Sequence, residues 1–434
     1  MPPKVPRPWP APIVESPTIA RLERELAAGD TDRVLAAFWQ VPAARTPLIE
    51  ATEPGADSAH EDALTASEDD AESSAKAPAG SALGPDATYA DTEVVVTFLW
   101  RDAHAERVLL FANRVTDETR LDESLMRKVA GTDVWHLSYR MRADWRASYV
   151  FLPQLPGQLP AWRTADDQVA IRAALDQGHT DPTNPDVNYN RAGVAQSVVA
   201  LPDAPAQPWL AERVDVSRGP VMRTATPDGR TVWVHCPVGG RNLDAILVVF
   251  DGDVWTSTQS LPTTLDNLYH DRMIPGLCTV LVDAGERADR WREHASGKID
   301  DYVTNVLLPW VRHTFAVAEV PAVVVGQSLG GLSALRLAVT RPDVVHAALV
   351  QSASLWFDDL GATLSTSSLS QTRVHLQVGA HEWVLTGDHR RLAKRLRATG
   401  AVVDHVTYNG GHDDAWWRGA LADGLCSLLP RLVR

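Results

Sequence analysis

The chain is poor in cysteine and has no long apolar run. Its three cysteines, Cys236, Cys278 and Cys426, are scattered among 434 residues without a CxxC spacing. An odd, dispersed set argues against a disulfide framework and against a structural zinc site, so we expect small buried side chains. No stretch approaches the ~18 to 20 apolar residues that a membrane span needs. We therefore expect neither a disulfide-rich domain nor a membrane protein.

Positive charge is also scarce. The formal net charge is −14, which argues against nucleic acid or an anionic membrane as the main partner. Much of the excess lies in residues 51–88, where nine acidic residues stand against Lys76 alone. This segment has no aromatic residue and no apolar periodicity, which predicts a disordered acidic insertion. The N-terminus is proline-rich and lacks the apolar core of a signal peptide, so the expected location is the cytoplasm.

The patterns divide the chain into further segments around this insertion. Residues 1–50 are predicted to form a helical segment that packs on the next domain, because apolar residues recur at helical spacing between 17 and 41. Short alternating runs at 89–152 predict an all-β domain. Residues 153–218 are dotted with proline and are predicted to be an ordered connector. From 219 to 434, apolar strands alternate with helices, which predicts an α/β domain with a mostly parallel sheet and helices on both faces.

Residues 323–335 have the pattern of a nucleophile elbow. Three valines precede Gly326-x-Ser328-x-Gly330, and a helix-forming stretch follows. The pattern alone arises by chance roughly once in ten chains of this length. Its strand-turn-helix context favours a catalytic serine over a flexible surface loop. Glycines on both sides avoid backbone collisions and leave Oγ of Ser328 exposed, so Ser328 is the predicted nucleophile.

A serine hydroxyl needs a base, and in this arrangement the chain order is serine, acid, histidine. His412 follows the turn signal Asn409-Gly410-Gly411 just beyond the last predicted strand, so it should lie on a loop at the carboxyl edge of the sheet. It is the predicted base. The histidines in or beside predicted strands, for which packing roles are favoured, are His346, His375 and His405.

The acid should follow the predicted strand at 374–378. Glu382 lies four residues beyond its end and is the preferred acid, with Asp388 as the main alternative. The string that begins at His381 starts like a zinc-protease helix, but Leu385 stands where the second histidine would be. A zinc site there is therefore rejected.

Two backbone N–H groups are the predicted oxyanion donors. Leu329 follows the nucleophile, and Asp253 lies in the loop after the predicted strand at 246–250. Gly252 in that loop permits a close backbone approach to the reacting centre. Donors aimed at the tetrahedral intermediate are worth roughly 3 kcal/mol each in transition-state energy.

By these residues the chain resembles the enterochelin esterases, hydrolases of ferric catecholate siderophores. The resembling strings run in order through both halves of the chain. They lie at 38–40, 46–50, 98–102, 130–135, 145–149, 181–185 and 201–205, and then at 251–255, 326–335, 351–354, 410–413 and 417–419. Two features depart from the family pattern, namely the acidic insertion and Leu329, where an aromatic residue is expected.

The resemblance implies an immunoglobulin-like β-domain followed by an α/β-hydrolase domain. It also implies that Ser328, His412 and Glu382 hydrolyse the tri-serine lactone of a ferric enterobactin-like siderophore in the cytoplasm. The expected partner is this small molecule, and the expected state is a monomer or weak oligomer. No protein-bound metal or cofactor is implied, because iron enters only with the substrate.

A ferric tris-catecholate carries three negative charges, so an acidic enzyme needs a cationic, aromatic cleft to hold it. Arg287 and Arg290 are candidates from the loop after the strand at 278–282, although Arg290 could instead pair with Glu293 on a helix turn. The tryptophans near the catalytic loops, each of which could instead be core packing, are Trp255, Trp356, Trp416 and Trp417.

Two other functions remain open from the sequence. A general carboxylester or thioester hydrolase of the esterase D type would share the elbow and the triad but not the strings of the N-terminal half. A non-catalytic siderophore-binding protein would retain the cleft but not depend on Ser328.

Overall fold

The computed structural model describes residues 5, 7–40, 46–52, 92–239, 243–317, 320–364 and 368–432. The predicted acidic insertion at 51–88 lies outside the described residues, apart from Ala51 and Thr52. No helix within the described ranges is both long enough and apolar enough to cross a membrane.

Two antiparallel four-stranded sheets form the β-domain in the described part of the chain. The first has the order β1-β2-β5-β4, and the second has the order β3-β6-β8-β7. A shared core that includes Phe98, Trp145 and Tyr149 lies between them. The strands are β1 Leu48–Ala51, β2 Glu93–Arg101, β3 Arg107–Ala112, β4 Arg127–Lys128, β5 Val134–Arg142, β6 Arg146–Gln154, β7 Val187–Tyr189 and β8 Ala195–Ala200.

The predicted domain boundary at residue 152 is wrong. Strands β7 and β8 lie in the predicted connector, yet β8 pairs with β6 and completes the second sheet. Their own sequences carry little signal, because β7 has three residues and β8 is rich in small and polar side chains. Pairing with β6 supplies the stability that local pattern does not indicate. The same segment also forms the short helices α3 Ala161–Thr164 and α4 Gln168–Leu175.

The predicted N-terminal helix is two helices, α1 Pro17–Ala28 and α2 Thr31–Phe38. The chain breaks at Gly29, and the Asp30 side chain caps α2 by accepting from backbone N–H groups. Ile19 and Leu22 of α1 are buried in one cluster with Leu99 of the first sheet. The two helices therefore pack on the β-domain.

The C-terminal half contains, among its described residues, one eight-stranded sheet. Its order is β16-β15-β14-β13-β11-β12-β10-β9. Strand β10 pairs antiparallel with both β9 and β12, and the six strands from β11 to β16 are parallel to one another. The strands are β9 Val221–Ala225, β10 Thr231–His235, β11 Ala245–Val249, β12 Leu277–Val282, β13 Ala322–Gln327, β14 Ala347–Gln351, β15 Arg373–Gly379 and β16 Val402–Tyr408. Separate apolar clusters cover its two faces.

Helices connect the parallel strands. They are α5 Gly252–Ser257, α6 Leu261–His270, α7 Arg287–Ser296, α8 Lys298–Tyr302, α9 Leu308–Thr314, α10 Leu329–Thr340, α11 Gly361–Leu364, α12 Thr386–Ala398 and α13 Asp414–Leu428. A π-helical turn, Val303–Leu307, joins α8 to α9.

The strand order places a crevice at the middle of the sheet. After β11 the chain passes to β12 on one side, and β13 then pairs with β11 on the other side. Such a reversal opens a crevice outside the carboxyl ends of the strands, where ligands bind. The helices that follow β11 and β13 both begin at this point.

Candidate active site

Ser328 occupies the sharp turn between β13 and α10. Its backbone has φ 56° and ψ −118°, a strained conformation that is found at functional sites. A side chain at Gly326 would collide with the Gly330 carbonyl, so glycine is required two residues before the serine. At Gly330 the requirement is weaker than predicted, because an added Cβ would lie 3.4 Å from Phe250 Cβ, an ordinary contact.

The Ser328 side chain is half-buried and lies next to a second serine. Its Oγ is 3.3 Å from Oγ of Ser354. The backbone is held by two hydrogen bonds, from Ser328 N to the Gln351 carbonyl and from Ser354 N to the Ser328 carbonyl. Among the described residues, no hydrogen bond joins Ser328 Oγ to His412. Contacts between nucleophile and base are often loose without substrate and tighten when it binds.

His412 and Glu382 form a close pair at the same edge of the sheet. Nδ1 of His412 lies 2.6 Å from Oε2 of Glu382. The other carboxylate oxygen accepts from Ser352 Oγ at 2.6 Å and from the Gly379 N–H at 2.9 Å. The Glu382 side chain is therefore fixed, and it orients the imidazole so that Nε2 is left to take a proton.

Glu382 is charged although it is buried. Burial opposes its ionisation, but electrostatic attraction to the His412 ring and the hydrogen bond from that ring outweigh burial and hold the pKa of Glu382 at about 2. The His412 ring also lies edge-on to Trp417, with centroids 4.6 Å apart. An ionised carboxylate beside an oriented imidazole is the arrangement that activates a serine.

The alternative acid, Asp388, lies elsewhere. It occupies the first turn of α12, and its carboxylate accepts from the side chain of Arg391. Of the two predicted acids, the structure brings only Glu382 to His412.

The predicted oxyanion donors begin adjacent helices. Leu329 starts α10 and Asp253 lies in the first turn of α5, and these helices follow the paired strands β13 and β11. The first N–H groups of a helix have no partner within it. Gly252 packs against β12, where an added Cβ would come within 2.5 Å of the Leu281 carbonyl carbon. The direction of the two donors relative to a bound ester remains a prediction.

Arg290 does not fit either predicted role. Its guanidinium forms a bidentate pair with the buried Asp251, with Nε–Oδ1 at 2.6 Å and Nη2–Oδ2 at 2.7 Å. Arg191 binds the same carboxylate at 2.6 Å, and Glu293 pairs with Arg230 instead. Burial opposes ionisation of Asp251, but Arg290 outweighs it and lowers the pKa of Asp251. Arg290 therefore fixes the turn before α5, whereas Arg287 is exposed at the start of α7.

The four predicted tryptophans divide into two groups. Trp255 and Trp416 are core residues, since both are buried and their Nε1 atoms donate to Gln327 Oε1 and the Arg146 carbonyl. Trp417 is also buried and contacts the His412 ring, so it supports the base. Trp356, two residues after Ser354, instead belongs to a partly exposed aromatic surface.

That surface, which we call the aromatic platform, consists of Trp291, Trp356 and Phe357. Trp356 stacks on Trp291 with centroids 6.0 Å apart, and Phe357 meets both rings edge-on. Trp291 is 38% exposed and Phe357 is 41% exposed. Trp291 and Phe357 were not predicted from the sequence, where the only signals are that Phe357 follows Ser354 by three residues and that Trp291 lies beside Arg290.

Comparison with known proteins identifies the family of this chain. Residues 95–210 match the family model for the N-terminal domain of enterochelin esterase, and residues 224–428 match the Esterase model. An iron(III) salmochelin esterase of Escherichia coli O6:H1 is 30% identical over 380 residues, which cover 77% of this chain and 88% of the relative. The chain belongs to the enterochelin esterase family. An iron(III) enterobactin esterase of the same strain is 29% identical over 377 residues, which cover 77% and 90% of the two chains.

Solved structures show the same likeness over more than three quarters of the chain. The ferric enterobactin esterase of Salmonella typhimurium superimposes with a TM-score of 0.66 at 28% identity, covering 79% of this chain and 95% of that one. The Shigella flexneri enterobactin esterase, crystallised in the presence of enterobactin, gives 0.65 at 28% identity, covering 78% and 94%.

The β-domain of this esterase holds the loop that carries His412. Asn113, in the turn after β3, donates its side-chain amide to the His412 carbonyl at 2.9 Å. Ser148 of β6 donates its N–H and its hydroxyl to the Asp413 carboxylate, at 2.5 and 2.7 Å. Neither residue was predicted from the sequence, because both are far from His412 in the chain and belong to no motif.

Replacing Asn113 by alanine should therefore reduce kcat by about tenfold, the value of one hydrogen bond of 1 to 1.5 kcal/mol, with little change in KM. We expect this pattern because loss of the hydrogen bond leaves the His412 imidazole less firmly oriented but removes no contact with the substrate. Gln154→Ala is a matched control, because Gln154 also donates its amide to a backbone carbonyl of the same domain, that of Gln158. Steady-state kinetics on both variants decide the point, and equal losses would show general destabilisation.

Proposed function

We propose that this esterase hydrolyses the ester bonds of the tri-serine lactone in ferric enterobactin-like siderophores. The proposal is supported by relatives named as iron(III) enterobactin and salmochelin esterases, which match over most of their own length. The observation that carries it in this chain is the 2.6 Å hydrogen bond between His412 and Glu382, beside the strained turn at Ser328.

In the proposed mechanism, Nε2 of His412 takes the proton of the Ser328 hydroxyl as Oγ attacks a lactone carbonyl. Glu382 stabilises the imidazolium that forms. The tetrahedral intermediate collapses, the ester C–O bond breaks, and the serine oxygen of the substrate leaves with the proton from His412. Water then attacks the acyl-enzyme with the same base, which frees Ser328 and a linear product.

The N–H groups of Leu329 and Asp253 are the proposed donors to the oxyanion. They belong to helices that begin at neighbouring strands, and their dipoles favour negative charge at that point. Each such donor is worth about 3 kcal/mol of transition-state stabilisation. Because the donors are backbone groups, side-chain substitutions test them poorly.

The aromatic platform is the proposed surface for a catechol ring. Its two exposed members are Trp291 of α7 and Phe357, which follows Ser354 by three residues. Catechol rings can stack on such aromatic side chains. Exposed Arg287 at the start of the same helix as Trp291 is a proposed contact for the anionic ligand.

Ring opening also has a consequence for the metal. Three catechols tethered to one macrocycle hold iron at high effective concentration, and cutting the tether lowers it. Ferric iron then becomes easier to reduce and release. We place this reaction in the cytoplasm, with no resident cofactor, in a monomer or weak oligomer. For the fold we propose an immunoglobulin-like β-domain and an α/β-hydrolase domain, which the parallel strands and the elbow support.

Product chromatography tests the function. Incubation with ferric enterobactin should yield the linear trimer and then the dimer and monomer of dihydroxybenzoylserine. A protein that cleaves a neutral aryl ester but leaves the siderophore ring intact at every enzyme level would be a general esterase. If the Ser328→Ala variant released iron as well as the wild type does, the protein would be a binding protein.

A further inference from the structure

Arg114 of the β-domain lies between the two loops that carry His412 and Glu382. It occupies the turn after β3 in a left-handed conformation, with φ 58°. Its stem packs on Gly411, where an added Cβ would lie 2.6 Å from Arg114 Cγ. Its guanidinium lies over the ring of Trp383, 5.7 Å from the centroid. Gly411 and Trp383 are the chain neighbours of His412 and Glu382, so the turn brings a positive charge to the edge of the active site.

Apart from the Trp383 ring, this charge has no close partner in the described part of the fold. Within the described ranges, the guanidinium of Arg114 forms no hydrogen bond and no ion pair. Other arginines near the site are engaged, since Arg290 and Arg191 bind Asp251, and Arg7 donates to the Val115 carbonyl and contacts His381. Burial lowers the pKa of Arg114, and Glu382 is the carboxylate that opposes this most. A half-buried cation without a hydrogen-bond acceptor is costly unless a ligand supplies one.

We propose that Arg114 binds an anionic catecholate oxygen of the ferric siderophore, so that the β-domain carries part of the substrate specificity. This proposal rests on the proposed function. The substrate bears three negative charges, and arginine presents several donors to such oxygens. A strained left-handed backbone at a non-glycine residue is also a feature of ligand sites.

The alternative is that Arg114 acts only through Glu382, as a nearby charge that favours the carboxylate. The two roles predict different kinetics. A substrate contact changes KM for the anionic siderophore and leaves a neutral ester unaffected. A positioning charge lowers kcat for both substrates, because both need the same base.

Arg114→Met removes the charge and keeps a stem that packs on Gly411, and Arg114→Lys restores a charge. With Arg114→Met we expect KM for ferric enterobactin to rise roughly tenfold or more, the value of one charge-assisted hydrogen bond. kcat/KM for p-nitrophenyl acetate should stay within about twofold. Arg114→Lys should recover most of the loss. The same variants in a Ser328→Ala background should weaken the Kd for ferric enterobactin in parallel, measured by tryptophan fluorescence quenching.

Arg101→Met is the matched control. Arg101 belongs to the same domain and also lies over a tryptophan, 5.3 Å from the Trp39 centroid, but it pairs with Asp133 and, among the described residues, does not contact the His412 loop. Equal losses of kcat on both substrates with an unchanged Kd would overturn the proposal in favour of the positioning role. If neither the kinetic constants nor the Kd for ferric enterobactin changed, the proposal would be overturned outright. A wild-type enzyme that cleaves the aryl ester but not the siderophore would overturn the proposed function and this inference together.

Discussion

Replacing Ser328 by alanine should lower kcat for ester hydrolysis by about 10⁶-fold, the loss seen when a serine nucleophile is removed from a complete triad. The remaining groups can still bind substrate and polarise its carbonyl, but they offer no oxygen for acyl transfer. The Kd for ferric enterobactin should change little, since the change removes one atom from a half-buried side chain. Single-turnover kinetics and a binding titration on the same preparation measure both effects.

Ser354 is the control for this assignment. Its hydroxyl lies 3.3 Å from that of Ser328 and is the other serine oxygen at the turn. Ser354→Ala should cost a few-fold in kcat at most, because only one hydrogen bond to the nucleophile is lost. If Ser354→Ala were inactive and Ser328→Ala active, the nucleophile would be Ser354 and not Ser328.

Glu382→Gln should lower kcat by about 10⁴-fold, as loss of the carboxylate does in a serine triad. The amide has the same shape, but it cannot stabilise the imidazolium, and it can present a donor to Nδ1 of His412. The low pKa of Glu382, about 2, means that the wild-type carboxylate stays ionised at every pH near neutrality. The contribution of this carboxylate to the stability of the folded protein should be lost only as the pH falls from the ordinary pKa of a carboxyl group toward 2.

Asp388→Asn is the paired control. Asp388 binds Arg391 on α12, so this variant should retain kcat within about twofold. Similar small losses in both variants would contradict a triad and indicate a Ser-His dyad. Steady-state kinetics with circular dichroism on each variant separate a loss of catalysis from a loss of folding.

The parts of the site that follow strands were predictable from sequence. Ser328, Glu382 and His412 each come just after a strand of the parallel sheet, and the carboxyl ends of such strands meet at one edge. Local pattern fixes which strand comes before each residue, so the sequence predicts that all three lie at one edge, and the structure places Glu382 in contact with His412 there.

Contacts between distant parts of the chain were not predictable in this way. Asn113, Arg114 and Ser148 reach the His412 loop only because the β-domain packs on it, and no spacing or motif marks them. The pairing of Arg290 with Asp251 likewise depends on a left-handed turn at Asp251, φ 59°, where the expected partner was Glu293. Strands β7 and β8 were missed because their pairing partner, and not their own pattern, stabilises them.

The most direct test of the account is the mass of the protein during turnover. The esterase is mixed with ferric enterobactin, quenched with acid within the first turnovers, and digested for peptide mass spectrometry. We expect the peptide that contains Ser328 to carry a linear dihydroxybenzoylserine chain as an ester, and the adduct to be absent from Ser328→Ala. Ring opening without any adduct on that peptide, or with the adduct on Ser354, would contradict acyl transfer to Ser328.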